Sequence, residues 1–107
     1  MKLIIAEKPS VARSIAPVVG ASRKKNGYTE GNGYIVSWCF GHLVGLYYPN
    51  DYGESWSGRW SFEQLPMIPE QWKFKVSKDC NGQFNILKKL LNSPGIDEVI
   101  CATDADR

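Results

Sequence analysis

Leu3-Ile4-Ile5-Ala6-Glu7-Lys8-Pro9-Ser10 is the stretch on which the reading of the whole chain turns. Residues Leu3 to Ala6 are apolar with no polar alternation. That pattern belongs to a strand covered on both faces, as in a parallel sheet. Proline is accepted in the first turn of a helix, where its missing N–H has no partner to lose. Val11, Ile15, Val18 and Val19 then recur at helical spacing, and Gly20 is a suitable stop. The spacing predicts a strand over 2–6 and a helix beginning at Pro9, with Glu7 and Lys8 at the crossing. A second strand of the same kind closes the chain: Glu98-Val99-Ile100-Cys101-Ala102, followed by Thr103-Asp104-Ala105-Asp106-Arg107.

Between these strands the pattern changes. Tyr28-Thr29-Glu30 and Tyr34 to Phe40 flank Gly31-Asn32-Gly33, and Asn-Gly is a strong hairpin signal. Residues 45–69 are rich in glycine, proline, serine and aromatics, and read as a long ordered loop in which Trp56, Trp60, Phe62 and Leu65 seek burial. Trp72 to Val76 alternates and suggests one more strand. Asn81 to Leu91 predicts a second helix with Phe84, Leu87, Leu90 and Leu91 on its apolar face and Lys88 and Lys89 opposite. Asn92-Ser93-Pro94-Gly95 breaks it. Strand, helix, β insertion, helix, strand is the frame of an α/β protein with a parallel core. Such sheets place their chemistry beyond the carboxyl ends of the strands.

With 107 residues the chain suits one domain. Its 43% hydrophobic and 22% charged content argues for a folded globule rather than wholesale disorder. The net charge of +2 is too small to announce a nucleic-acid binder by itself, so local placement of charge must decide. The three cysteines, Cys39, Cys80 and Cys101, form no CxxC pair, and His42 is the one histidine, too few ligands for a structural zinc site. Cys39 and Cys101, flanked by apolar residues, read as reduced core thiols. The apolar start is broken by Glu7 and Lys8 too early for a secretory leader, and no run approaches membrane-spanning length.

Asp104 and Asp106 stand two apart, so in extended backbone they point to one side. Two ionised carboxylates aimed at one point repel unless a cation lies between them. Mg²⁺ suits that role, because it takes one or two carboxylates, keeps several waters and binds phosphate oxygens. Glu7, at the end of the other strand, can serve as a third carboxylate or as a proton donor. The bland alternative is an ordinary loop or helix N-cap, where Asp-x-Asp is common. Position after a buried strand favours the metal reading.

The residues Met1 to Ala12, Trp38-Cys39-Phe40-Gly41-His42-Leu43, Arg59-Trp60, Leu65-Pro66-Met67-Ile68-Pro69 and Ala102 to Arg107 together resemble the type IA DNA topoisomerases, in particular the bacterial topoisomerase III group. The matches run in order from end to end, and the last looks like the start of that family's D-x-D-R-E-G-E motif. The resemblance implies a Toprim fold: a small parallel sheet flanked by helices, here with an inserted β-hairpin region. On this reading residues 1–107 are the N-terminal part of a Toprim domain. The third acid of the motif would follow Arg107, and the domain bearing the nucleophilic tyrosine lies elsewhere. None of Tyr28, Tyr34, Tyr47, Tyr48 and Tyr52 stands in the tyrosine motif, so this chain alone is expected to be inactive.

Further expectations follow from the resemblance. The parent would break and rejoin single-stranded DNA through a 5′-phosphotyrosine, without ATP, giving relaxation and decatenation. Glu7 and Lys8 would be catalytic. Glu7, Asp104 and Asp106 would hold Mg²⁺. Arg59 and Arg107 would contact DNA, with Trp60 available to stack on a base, while His42 is read as structural and Lys24 and Lys25 as a solvated turn. Single-stranded DNA is the expected partner, a helicase is a candidate protein partner, and the location is the bacterial cytoplasm at the nucleoid. Two other readings compete: another Toprim enzyme, a primase or nuclease, and a non-catalytic nucleic-acid-binding module. Lys8-Pro9-Ser10 and Gly41-His42-Leu43 favour the topoisomerase.

Overall fold

The computed structural model describes residues 1–105. Its elements are strand β1 (Lys2–Ala6), helix α1 (Pro9–Val19), strands β2 (Arg23–Lys25), β3 (Tyr28–Gly31), β4 (Tyr34–Trp38), β5 (Val44–Leu46) and β6 (Phe74–Val76), helix α2 (Asn81–Leu91) and strand β7 (Glu98–Ala102). Five strands form one sheet in the order β2-β3-β4-β1-β7. The apolar strand β1 lies between β4 and β7 and runs parallel to both, as its unbroken hydrophobic run predicts. Ala6 is opposite Trp38 on one side and Ala102 on the other, so three parallel strands end level.

Side chains alternate across this sheet, and each helix covers one face. Ile4, Ala6 and Val36 pack with Ala12 and Ala16 of α1, supported by Val11, Ile15 and Val19. The small alanines let the helix backbone approach the strands closely. Leu3 and Ile35, on the other face, pack with Leu90 and Ile86 of α2. Gly20 ends α1 in the left-handed conformation that glycine adopts without strain. The hairpin between β3 and β4 turns on Asn32 and Gly33, both at positive φ, as a two-residue primed turn requires.

Several expectations shift in detail. Val18 is 84% exposed, and the apolar face of α1 runs through Ala12 and Ala16 instead. Leu91 is exposed and Gln83 takes a buried place on α2. Lys24 and Lys25 belong to β2, a fully charged edge strand, rather than to a solvated turn. Such an edge resists pairing with other chains.

The largest departure is the segment between β5 and β6. Those short strands pair antiparallel as a second sheet and close off an excursion of three 3-10 turns. Trp60, Phe62 and Leu65 were expected to be buried, yet they are 60%, 94% and 51% exposed. The excursion stands away from the main core and has too little chain to enclose its own aromatics. The molecule is accordingly long, 58 × 26 × 23 Å, with a radius of gyration of 18.2 Å, against about 13 Å for a compact domain of this size. Of the four residues expected to be buried there, Trp56 alone is partly covered, through an edge-on row in which Tyr52 lies 5.6 Å from it and 5.2 Å from Tyr47, centroid to centroid.

A candidate acid site at the carboxyl edge of the sheet

Level strand ends put Glu7, one residue past β1, next to Asp104, two residues past β7. The two carboxyls act on each other directly. Glu7 is held above the ordinary carboxylate range, first by side-chain hydrogen bonding with Asp104, then by partial loss of hydration and by the Asp104 charge. Lys8 and His42 pull the other way. An upward shift is the response expected of two acids that lack an intervening cation.

A third wall comes from the chain after β4. The Cys39 N–H donates to the Ala6 carbonyl (2.8 Å) and the Gly41 N–H to the Glu7 carbonyl (3.0 Å), so this segment tracks β1 past the sheet's formal end. Gly41 has φ +76, and a Cβ there would meet open space. Its glycine is therefore needed for backbone conformation, not for room. His42 is exposed, and its carbonyl accepts from Ser77 Oγ (3.2 Å), which anchors the segment to the end of β6.

The start of α1 completes the site. Lys8 is the N-cap, in extended conformation, and makes no side-chain cap. Pro9 opens the helix, no acid lies in the first turn, and the first helical bond runs from Ala12 N–H to Lys8 O at 3.2 Å. The Ser10 and Val11 amides thus lack an intrahelical acceptor. A lysine at the positive end of a helix dipole is electrostatically adverse in isolation and favourable once an anion binds.

The remaining expected residues divide. Arg59 and Trp60 sit exposed on the excursion, with no hydrogen bond, ion pair or stacking contact among the described residues linking them to Glu7. Asp106 and Arg107 lie outside the described residues. Among the described residues no three His, Cys, Asp or Glu side chains cluster as a metal-ligand set. The Glu7–Asp104 pair nevertheless suits Mg²⁺, which needs only one or two carboxylates and supplies the cation that the pair lacks. Cys101 was expected in the core. It is exposed on edge strand β7, and its hydrogen bond with Thr103 Oγ1 (3.1 Å) pulls the thiol below its ordinary value. Cys39 is partly buried, and burial pushes its thiol up.

Sequence reasoning passed over Arg13 and Phe40. With Lys8, Pro9, Ser10 and Gly41 they line an open groove of about 540 Å³ beside the acids. The i, i+3 spacing of Ser10 and Arg13 was a usable signal.

Residues 2–107 match the Toprim domain family. The chain belongs to that family. Its α/β make-up and its three central parallel strands fit a Toprim domain. It is 48% identical over 106 residues to a protein named DNA topoisomerase 3 from Shouchella clausii (strain KSM-K16). It is 49% identical over 105 residues to one so named from Bacillus anthracis, and 47% over 105 residues to one from Staphylococcus epidermidis. The first of these alignments takes in 99% of this Toprim chain and 14% of the relative. The chain therefore spans about one seventh of the length of the curated relatives it matches.

Proposed function

We propose that this Toprim domain is the N-terminal part of a type IA DNA topoisomerase of the topoisomerase III group. The parent breaks and rejoins single-stranded DNA through a 5′-phosphotyrosine, without ATP, and so relaxes and decatenates DNA. The observation that carries this reading is the Glu7–Asp104 pair at the level ends of adjacent parallel strands, in a chain close to half identical to proteins named DNA topoisomerase 3.

The chemistry assigned to this chain is proton management and phosphate positioning. A tyrosine hydroxyl from another part of the parent gives its proton to water as its oxygen attacks the phosphorus, and the P–O bond to the 3′ oxygen breaks. Glu7 gives its proton to that leaving oxygen, a contribution of about 10²–10⁴ in rate. On rejoining, the 3′ hydroxyl attacks and gives its proton back to Glu7, the phosphotyrosine bond breaks, and the tyrosine oxygen regains a proton from water. Glu7 is raised from its ordinary value chiefly by side-chain hydrogen bonding with Asp104, a direction in keeping with the donor role. Lys8 is assigned to charge neutralisation at the scissile phosphate, and the Ser10 and Val11 amides at the helix start support that role because helix N-termini favour anions. Asp104, with Glu7 and Asp106, would hold Mg²⁺, which when bound supplies charge stabilisation at the phosphate. Arg59 and Arg107 are assigned to backbone contacts. The cytoplasm at the nucleoid is the proposed location, and a helicase the proposed protein partner; among the described residues no helix is long and apolar enough to cross a membrane.

The test is made on the full-length polypeptide. With Mg²⁺ and no ATP it should relax negatively supercoiled plasmid and leave a protein–DNA adduct at a 5′ phosphate after denaturation. Residues 1–107 alone should form no adduct. A full-length protein that synthesises primers or cuts DNA without rejoining it would refute the reading in favour of another Toprim enzyme.

A further inference from the structure

The groove beside the acid pair combines features that the acid chemistry does not use. One wall is the first turns of α1, with Lys8, Ser10 and Arg13; the other is the Phe40–Gly41 turn. Pro9 and Arg13 are four apart and Ser10 and Arg13 three apart, so they share one helix face. Arg13 is exposed and forms no ion pair among the described residues. Phe40 is 54% exposed, and no core cluster claims it. The backbone beside it is held, because the neighbouring Gly41 N–H is bonded to the Glu7 carbonyl. An exposed aromatic and a guanidinium without an ion pair thus line one groove among the described residues.

We propose that Arg13 and Phe40 hold the DNA single strand next to the phosphate that Glu7 serves. The Arg13 guanidinium takes a neighbouring backbone phosphate, and the Phe40 ring stacks on a base. A single strand fits this chemistry better than a duplex, because stacking on Phe40 needs an unpaired base face, and an alternation of cation and aromatic is what single strands bind. The inference rests on the proposed function and adds two positioning residues to it. Both act by touching the strand rather than the reacting atoms.

The experiment measures binding of the full-length polypeptide to a labelled oligothymidylate and to an abasic strand of equal length, across a salt series. Arg13→Gln should weaken both strands and reduce the slope of log affinity against log salt by about 0.7, the contribution of one phosphate contact on a single strand. Phe40→Ala should weaken the oligothymidylate by roughly 5- to 100-fold, as loss of one stacked base does, with an unchanged slope and no effect on the abasic strand. Phe40→Trp should retain or strengthen binding, which separates stacking from a folding defect. An unchanged salt slope in Arg13→Gln, or equal losses on both strands in Phe40→Ala, would overturn the proposal. If those outcomes came with a parent that still relaxes plasmid and still requires Glu7, only the strand-holding roles would fail. A wild-type parent that bound neither strand would sink the functional reading itself.

Discussion

Replacing Gln83 by leucine tests how the acid site is kept in place. Gln83 is 7% exposed on α2, and its amide donates to the Trp38 carbonyl (2.7 Å), to Ser37 Oγ (3.1 Å) and to the Gly27 carbonyl (3.1 Å). Ser37 Oγ itself donates to the Gly27 carbonyl at 2.7 Å. Two amide hydrogens therefore serve three acceptors, and in the variant Gly27 keeps a donor while Trp38 O loses its side-chain one. Leucine has similar bulk, so the cost is mainly that of a desolvated acceptor, about 1–3 kcal/mol. For a domain near 100 residues, a value of about 2 kcal/mol lowers the melting temperature by roughly 8–16 °C. The assay is thermal and urea unfolding of Gln83→Leu, Ser37→Ala and the double variant. Because both side chains meet Gly27 O, the two changes should couple by more than about 0.5 kcal/mol. Since Trp38 leads directly into the Cys39–Gly41 segment bonded to β1, activity of the parent should fall as well. A Gln83→Leu variant as stable as wild type, or strict additivity, would refute this account.

Two other expectations concern elements that frame the site. Gly41→Ala should cost about 1–2 kcal/mol, from left-handed backbone alone, and Gly41→Asn should cost less; equal stability of all three in urea unfolding would contradict the assigned turn. Asp51 is held below its ordinary value near 3.8 by a hydrogen bond from Lys75 and by the Tyr48 N–H. A depressed carboxyl gives stability that is present above its unfolded value and lost as pH falls through its folded value. Asp51→Asn should therefore destabilise the excursion at neutral pH and lose its effect as the pH falls through the lowered value of Asp51, read by hydrogen exchange of residues 47–73; a pH-independent difference would contradict the pairing.

Much of this was written into the chain. The unbroken run Leu3–Ala6 announces a strand covered on both faces, and the matching run before Thr103 brings Asp104 beside Glu7 by parallel pairing. Asn32-Gly33 states its turn, and Pro9 and Gly20 bracket α1. What stayed hidden depends on tertiary context. Val44–Leu46 is too short to read as a strand until Phe74–Val76 pairs with it across nearly thirty residues. Arg23–Lys25 carries no apolar pattern because an edge strand needs none. Trp60, Phe62 and Leu65 misled because hydrophobicity records a preference for burial and not the surface that satisfies it. Gln83 carries no mark of burial in the sequence, since its three acceptors come from distant segments. Arg13 and Phe40 are each ordinary alone and become informative only when α1 and the Gly41 turn form one groove.

The most direct test of the central claim is plasmid cleavage and relaxation by the full-length polypeptide as a function of Mg²⁺ concentration, for Glu7→Gln and Asp104→Asn. Glutamine keeps the shape of Glu7 and removes its transferable proton, so cleavage should drop by about 10²–10⁴ and stay low at any Mg²⁺ concentration. Asparagine at 104 leaves one oxygen ligand and removes its charge, so activity should be lost at low Mg²⁺ and return as the concentration rises. Metal rescue of Glu7→Gln, with none for Asp104→Asn, would contradict the assignment of the two acids.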